Sequence, residues 1–181
     1  QNGSMERNVQ PVLGLDRLEI PPELSSLLAE METWKCVHAY NDIVKMVKAV
    51  MPLKARHSLP YDIDHHSFAK FTNIYFRSHI WGMKREPIKA PFLQKNSDAD
   101  FQESLAVFKL ILRFMNDNDL NGKKEKLIAD YIAQKGLANV NLRDEIFCQL
   151  CNQTWKNENV DSAERGWTLM VHCLSSFGPS Q

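Results

Sequence analysis

Cysteine is scarce in this sequence, with four residues in 181. That number is too small for the disulfide framework of a secreted domain, and the seven methionines suit a reducing compartment. No apolar run approaches the roughly 18–20 residues of a membrane-spanning helix. The opening residues QNGSMERNVQ lack the apolar segment of a signal peptide. These features predict a cytoplasmic protein that does not insert into a membrane.

The sequence also lacks net charge, because 22 basic residues balance 22 acidic ones. A neutral chain has no long-range field that attracts nucleic acid, so we expect no nucleic-acid partner and look for local charged patches. Hydrophobic residues make up 44% and charged residues 24%, which is typical of a globular domain. The length allows one domain with a substantial core and an additional arm.

Residues 1–60 predict an N-terminal helical extension that leads into the main domain at 61–181. Leucines at helical spacing follow Pro21 and Pro22, and proline is tolerated in the first turn of a helix. A second helical stripe runs through CVHAYNDIVKMVKAVM and ends at Pro52. The polar stretch KARHSLPYDIDHH is typical of a linker.

The main domain shows helical periodicity almost throughout. FAKFTNIYF predicts a first helix, and SDADFQESLAVFKLILRFMND predicts a long one that Ser97 or Asp98 caps. This long helix is apolar nearly all round, which indicates the central helix of a bundle. Between the two helices we expect an ordered loop anchored by four apolar side chains: Trp81, Ile88, Phe92 and Leu93.

Three further helices complete the prediction. KKEKLIADYIAQKGL is expected to end at a left-handed Gly136, the next helix to start at Asn141 with Asp144 completing a capping box, and the last to start at Ser162. Alternation with a period of two persists nowhere outside these segments. The predicted fold class is all-α: a compact helical bundle with an N-terminal helical arm.

Cys148 and Cys151 have the C-x-x-C spacing that zinc sites and redox enzymes use. Structural zinc needs four ligands, and the other candidates, His172 and Cys173, are adjacent and point about 100° apart on a helix. A redox pair needs a helix start that lowers the thiol pKa, whereas the acidic residues at this helix start would raise it. The pattern favours core cysteines, with a zinc site or a thiol enzyme as the alternatives.

Other catalytic patterns are incomplete. LNGKKEKL has no second glycine at Walker spacing, and neither Gly-x-Ser-x-Gly nor His-Glu-x-x-His occurs. His65 and His66, with Asp62 and Asp64 beside them, fit a solvated loop better than a metal site. We therefore predict no catalytic residue, no cofactor and no metal, and a protein that is not an enzyme.

One charged group predicts a structural clamp between the last two helices. Arg165 lies near a helix start, where the helix dipole disfavours a cation, so we expect it to pair with Asp144 or Glu145. A glycine inside a helix costs about 1 kcal/mol relative to alanine, so Gly166 predicts a close backbone approach. The predicted clamp consists of Arg143, Asp144, Glu145, Arg165, Gly166 and Trp167.

Basic residues gather in three places. Those between Lys45 and Arg56 fit the solvated face of a helix better than a membrane-surface or calmodulin-like element. The other two groups lie in predicted loops, which carry function more often. If they converge, they form a site for an acidic partner; otherwise they are scattered surface charges. The candidate partner-binding residues are Arg77, Lys84, Arg85, Lys89, Lys123, Lys124 and Lys126.

Several separated motifs resemble the myosin tail homology 4 domain. RDEIFCQLCNQT, followed by SAERGWTLMVHCLSSFGPS, is similar to the family's Arg-Asp-Glu-Ile-aromatic-Cys-Gln helix with its Arg-Gly-Trp and Phe-x-Pro-Ser continuation. FAKFTNIYF and REPIKAPFLQK resemble its N-terminal helix and its proline-containing loop. The resemblance covers about residues 61–181, and the motifs occur in the family's order.

The resemblance implies a helical bundle from the tail of an unconventional myosin of class VII, X or XV, or from a related kinesin or adaptor. Such domains usually precede a FERM domain and bind cargo or scaffold proteins with it, and some bind microtubules through basic residues. It also implies association with the cytoskeleton, in actin-based protrusions. The segment LEIPPELSSLLAEM favours a motor tail.

Two features depart from the family pattern. Asn152 stands where many members carry lysine, which weakens one candidate basic contact. Family members usually continue beyond Phe-x-Pro-Ser with further helices and FERM, so we expect the domain to be truncated at its C-terminal end. Apolar surface at Trp167, Met170 and Leu174 would then be uncovered.

Overall fold

The computed structural model describes residues 18–30, 61–62, 65, 67–76 and 81–180. The regular elements among these residues are helices, which confirms the predicted all-α class. Their bounds are α1 Pro22–Glu30, α2 Phe68–Tyr75, α3 Asp98–Asn116, α4 Gly122–Ala138, α5 Val140–Thr154 and α6 Val160–Leu174. The second helix of the predicted arm, most of the linker, and Arg77 lie outside the described residues.

Helix α3 is the centre of the bundle, as its apolar sequence predicted. Ser97 caps its start, where the Ser97 hydroxyl oxygen accepts a hydrogen bond of 3.1 Å from the amide of Asp100. One face of α3 packs into a larger core and the other into a smaller one. In the described part of the chain, no helix is both long and apolar enough to cross a lipid bilayer.

The larger core lies where α1, α3, α4, α5 and α6 meet. Helix α1 is docked onto it through Leu24 and Leu28, and the Tyr131 hydroxyl donates a 3.0 Å hydrogen bond to the carboxylate of Glu23. The helix of the N-terminal extension that the structure describes is therefore part of the packed interior. The central contacts come from Ile111, Phe114, Ile128, Ile132, Leu142, Ile146, Leu150 and Leu169.

The smaller core lies on the other face of α3 and holds the loop at 81–97. Ile88 and Phe92 are buried in it, and Trp81 and Leu93 pack against it, so the four predicted anchors are confirmed. The Phe92 ring lies 4.6 Å from that of Phe76, which follows α2. This core therefore fixes both α2 and the loop on the bundle.

Three predicted helix ends are wrong. Asn139 caps α5 by accepting from the Asn141 amide at 3.0 Å, so this helix starts before Asn141. Asn159 caps α6 by accepting from the Ser162 amide at 3.0 Å. In each case an asparagine just upstream satisfies free N–H groups of the first turn. The Ser162 hydroxyl instead donates to the Asn116 side chain at 3.0 Å.

Gly136 is not a left-handed end but a buried residue inside α4. A β-carbon at this position would overlap the aromatic ring of Phe177, which lies directly against the helix backbone. The Phe177 ring also contacts Phe147, with 5.4 Å between ring centroids. The glycine is required for a close approach between helices rather than for a turn.

Gly136→Ala should therefore destabilise the domain by about 1–3 kcal/mol, the usual cost of overpacking, although alanine favours a helix. Urea unfolding followed by circular dichroism measures the change. Gly178→Ala is the matched control, because a β-carbon there meets no atom within 4 Å. Equal stability of the Gly136→Ala and Gly178→Ala proteins would contradict this packing role.

Candidate functional site

The paired cysteines are packing residues, as the sequence favoured. Cys148 is buried in the smaller core, and Cys151 packs half-buried against the larger one. Burial raises the pKa of the Cys148 thiol, and the negative charge of nearby Glu145 raises it further. Burial likewise raises the pKa of the Cys151 thiol. Burial raises the pKa of Cys173 to about 12. Among the described residues no group of three or more histidine, cysteine or acidic side chains is arranged to hold a metal ion.

Glu145 is fully buried and holds the loop at 81–97 on α5. Its two carboxylate oxygens accept hydrogen bonds from the backbone amides of Phe92, at 2.9 Å, and Leu93, at 2.8 Å. The Gln149 side chain donates to the same carboxylate at 3.0 Å, and the Lys95 ammonium lies 3.8 Å away. The negative charge of this buried carboxylate is therefore met by several donors and a cation.

Two amide side chains at the end of α5 hold the beginning of the same loop. The buried Asn152 side chain accepts from the Gly82 amide at 2.7 Å and donates to the Gly82 carbonyl at 2.8 Å. The Gln153 side chain pairs with the backbone of Lys84 in the same way, at 2.9 and 2.8 Å. Position 152 is therefore interior in this chain, where Asn152 binds the loop backbone and offers no surface contact to a partner.

The predicted pairing of Arg165 with Asp144 or Glu145 is wrong. The Arg165 guanidinium donates to three backbone carbonyls at and just beyond the end of α3: those of Phe114 at 3.2 Å, Asp117 at 2.5 Å and Leu120 at 2.8 Å. Carbonyls in the last turn of a helix lack helical partners and carry partial negative charge, which attracts a cation. Arg165 thus joins α6 to the α3–α4 connection, with the Glu125 carboxylate 3.8 Å away.

The other predicted clamp residues are divided among separate contacts. Asp144 accepts from the backbone amide of Ser180, at 2.7 Å, and Arg143 donates to the Gly136 carbonyl, also at 2.7 Å. Gly166 allows the close approach predicted for it: a β-carbon there would lie 2.7 Å from the Thr154 side chain and 2.8 Å from that of Met115. The residues predicted to form one clamp therefore make several separate contacts between different segments of the chain.

Exposed apolar side chains on α6 form a stripe rather than part of the clamp. Val160, Trp167 and Leu174 are 60%, 51% and 52% exposed, and their seven-residue spacing places them on one face of the helix. The expected uncovered surface is therefore present at Trp167 and Leu174. It is absent at Met170, which is buried in the larger core.

The candidate basic residues lie in two separate places. Arg85 and Lys89 are exposed on the loop, which packs against the smaller core. The Lys84 ammonium lies 5.8 Å from the Phe92 ring, and burial lowers the pKa of this lysine. Lys123, Lys124 and Lys126 lie half-buried at the start of α4, which packs on the larger core, and Lys126 pairs with Asp130. The loop group is therefore associated with the smaller core and the α4 group with the larger one.

The start of α4 also borders a recess of about 310 Å³. Carboxylates of Glu125, Asp161 and Glu164 line this recess together with Arg165. The lysines of α4 are thus mixed with acidic groups, whereas the loop around Arg85 has Glu86 as its one acidic residue between positions 81 and 95. Of the two basic groups, the loop presents the less balanced positive charge.

Comparison with known proteins agrees with this architecture. Residues 129–181 match the family described as the MyTH4 domain. Human Unconventional myosin-XV is 38% identical over 175 residues, covering 97% of this chain. The Dictyostelium discoideum Myosin VII MyTH4-FERM MF1 structure matches 68% of this chain at 29% identity, with a TM-score of 0.63. The chain belongs to the MyTH4 domain family.

The MyTH4 chain corresponds to a small part of its relatives. It spans 5% of human Unconventional myosin-XV, and 5% of Drosophila melanogaster Myosin-VIIa, which is 41% identical over 107 residues, or 56% of this chain. It spans 27% of the Dictyostelium structure, which contains a FERM domain as well. MyTH4 domains are tail domains of unconventional myosins.

The side chains of this MyTH4 domain that sequence reasoning missed are mostly amides. Asn152, Gln153 and Gln149 are buried polar residues of α5, and helical periodicity counts them as part of a solvated face. The available signal was the loop itself, since an ordered loop with buried anchors needs partners for its backbone N–H and C=O groups. That requirement makes polar residues on a neighbouring helix candidates for interior positions.

Arg165→Lys should lower the free energy of unfolding by about 2–4 kcal/mol. The substitution keeps the charge, but a single ammonium group cannot bind three carbonyls as the guanidinium does, and each hydrogen bond to a charged group is worth about 1.5–3 kcal/mol. Urea denaturation provides the measurement, with Arg85→Lys on the exposed loop as the control. If both variants unfold at the wild-type urea concentration, Arg165 does not stabilise the end of α3.

Proposed function

We propose that this MyTH4 domain is a non-catalytic interaction module of an unconventional myosin tail, which acts with an adjacent FERM domain to bind cargo or scaffold proteins. The parent chain would work at the actin cytoskeleton, in cell protrusions. The observation that carries the proposal is the alignment with human Unconventional myosin-XV over 97% of this chain. The Dictyostelium Myosin VII structure supports the pairing, since it holds MyTH4 and FERM in one chain.

The exposed apolar stripe on α6 is consistent with a domain of the parent chain that packs against it permanently. Val160, Trp167 and Leu174 expose apolar surface along one helix face, and contiguous exposed apolar surface is typical of an interaction site. The opposite face of α6 is fixed in the larger core through Leu169, Met170 and Cys173. A partner that packs on this stripe would therefore be held rigidly by the bundle. We assign the stripe to the FERM-containing part of the parent chain.

Calorimetry of a parent fragment that runs from residue 18 through the FERM domain tests this assignment. We expect one unfolding transition for the wild type and two for Trp167→Ser/Leu174→Ser, because the substitution removes the apolar contact between the parts. In the 181-residue chain the same pair should shift the midpoint by no more than about 2 °C, since surface substitutions usually change stability by less than 0.5 kcal/mol.

Leu137→Ser/Val140→Ser is the matched control, because these residues are about as exposed but lie where α4 ends and α5 begins. It should leave the single transition of the parent fragment intact. Cargo proteins that co-purify with the parent should be lost on deletion of either residues 67–181 or the FERM domain. Two transitions in the wild type, or cargo retained by FERM alone, would contradict joint action.

A second candidate function is direct binding to the acidic microtubule surface. The observation that favours it is the basic loop, where Lys84, Arg85 and Lys89 accompany the single acid Glu86. Lys123 and Lys124 are weaker candidates because of the carboxylates that line the neighbouring recess. An electrostatic contact of this kind weakens as salt screens it, over a Debye length of about 8 Å at physiological ionic strength.

Microtubule co-sedimentation of the 181-residue chain at low and physiological salt tests this candidate. Arg85→Glu/Lys89→Glu should reduce the pelleted fraction strongly and Lys123→Glu/Lys124→Glu less so. Lys70→Glu/Lys109→Glu is the control, since it makes the same change in net charge outside both basic groups. Equal pelleting of all three double variants and the wild type would remove microtubule binding through these residues.

A further inference from the structure

Two tryptophans form a pair at the carboxyl end of α5. The rings of Trp81 and Trp155 lie 4.5 Å apart, centroid to centroid, at an angle of 55°. Trp81 is half-buried and Phe68 of α2 packs edge-on against it at 6.1 Å, while Trp155 is 38% exposed. One side of the pair is therefore supported by the protein and the other faces solvent.

The position of this pair is fixed by hydrogen bonds on either side. Gly82, which follows Trp81, is held through both of its backbone groups by Asn152, three residues before Trp155. Lys84 is held in the same way by the next side chain, that of Gln153. A surface held in this way loses little conformational entropy when it binds a partner.

Lys156 adds a cation to the pair through an unusual backbone conformation. Its φ is +47°, and among the described residues it is the only one other than glycine with a positive φ. A side chain disfavours this conformation, which glycine or asparagine normally adopts. The Lys156 ammonium lies 5.5 Å from the centroid of the Trp155 ring, within cation–π distance. Strained residues of this kind cluster at functional sites.

Exposed basic residues slightly outnumber exposed acidic ones in the two short segments that carry the tryptophans, residues 81–89 and 155–158. Arg85 and Lys89 are exposed on the loop that carries Trp81, and Lys156 is exposed beside Trp155. Two exposed acids, Glu86 and Glu158, accompany these three cations. The chain as a whole is neutral, so this small excess of positive charge does not indicate nucleic-acid binding. It favours instead an acidic group that contacts the aromatic surface directly.

We propose that Trp81, Trp155, Lys156 and Arg85, here named the Trp platform, bind an acidic, extended segment of a partner protein. An aromatic side chain of the segment packs against the exposed face of Trp155, and flanking carboxylates pair with Lys156 and Arg85. Tryptophan and arginine are the residues that dominate binding energy at protein interfaces. The inference rests on the proposed function as an interaction module and names one of its surfaces and the chemistry of its partner.

Fluorescence anisotropy with labelled peptides tests the Trp platform on the 181-residue chain. The probes are three dodecapeptides: one of glutamate and serine with a central phenylalanine, one with every glutamate changed to glutamine, and one with the phenylalanine changed to glycine. We expect the first to bind, and each of the other two to bind at least about tenfold more weakly. Trp155→Ala should weaken binding of the first peptide by at least about tenfold. Trp167→Ala, the control tryptophan on α6, should leave it unchanged.

Lys156→Gly separates binding from folding. Glycine adopts the positive φ without strain, so this variant should be at least as stable to heat as the wild type and yet bind the acidic peptide several-fold more weakly. Arg85→Gln should also weaken binding without unfolding the chain, so the test does not depend on the fold of Trp155→Ala.

Failure to bind the acidic peptide, equal binding of the glutamine peptide, or full affinity of Lys156→Gly and Arg85→Gln would overturn the Trp platform. The calorimetric test of the MyTH4 and FERM parts involves α6 and not these residues. Failure of the Trp platform is therefore distinguishable from failure of the proposed function.

Discussion

The fold of this domain depends on one constraint: the loop at 81–97 is anchored in the smaller core without regular structure, so the backbone groups that it covers need partners from a helix. Helix α5 supplies them from one face. The face begins at Glu145 and continues four, seven and eight residues later with Gln149, Asn152 and Gln153. This spacing places the four side chains on one side of the helix, and all four are buried. Three of them bind the loop backbone directly. An unpaired polar group in this position would cost about 1–3 kcal/mol, so the set is required as a whole.

The same constraint explains why α5 is buried on two sides. Its apolar residues Leu142, Ile146 and Leu150 face the larger core, and its polar face binds the loop. Arg165 performs the equivalent task for the end of α3, where it donates to the backbone carbonyls of Phe114, Asp117 and Leu120. In both places a polar side chain of one helix completes the backbone of another segment. The cysteines of α5 and α6 pack in or against the two cores beside these contacts, so their role is to fill the interior.

The sequence predicted what depends on local periodicity and missed what depends on distant contacts. The central helix, its Ser97 cap and the loop anchors all follow from patterns within about twenty residues, and they are confirmed. The sequence predicts acidic partners for Arg165 at the start of the preceding helix, whereas its carbonyl partners lie 45–51 residues away in sequence. Glycine is common at helix ends, so the sequence predicts that the helix ends at Gly136. The structure shows instead that the ring of Phe177 lies against the backbone there, which explains why glycine is needed inside the helix. Local sequence patterns therefore predict the helices and their caps, whereas contacts between residues far apart in sequence become visible only in the structure.

The motif that identifies the family also shows where partner recognition has to be sought. Residues 143–149 form one of the motifs that carry the resemblance, and in the structure Glu145, Ile146, Phe147, Cys148 and Gln149 are buried. These residues build the bundle and cannot contact a partner without unfolding it. Under the proposed function, recognition would come from exposed residues outside this stretch, such as those on the loop, at the end of α5 and along α6. The amides Asn152 and Gln153 connect the two roles, because the hydrogen bonds that hold the loop in place also set the position of Trp81 beside Trp155.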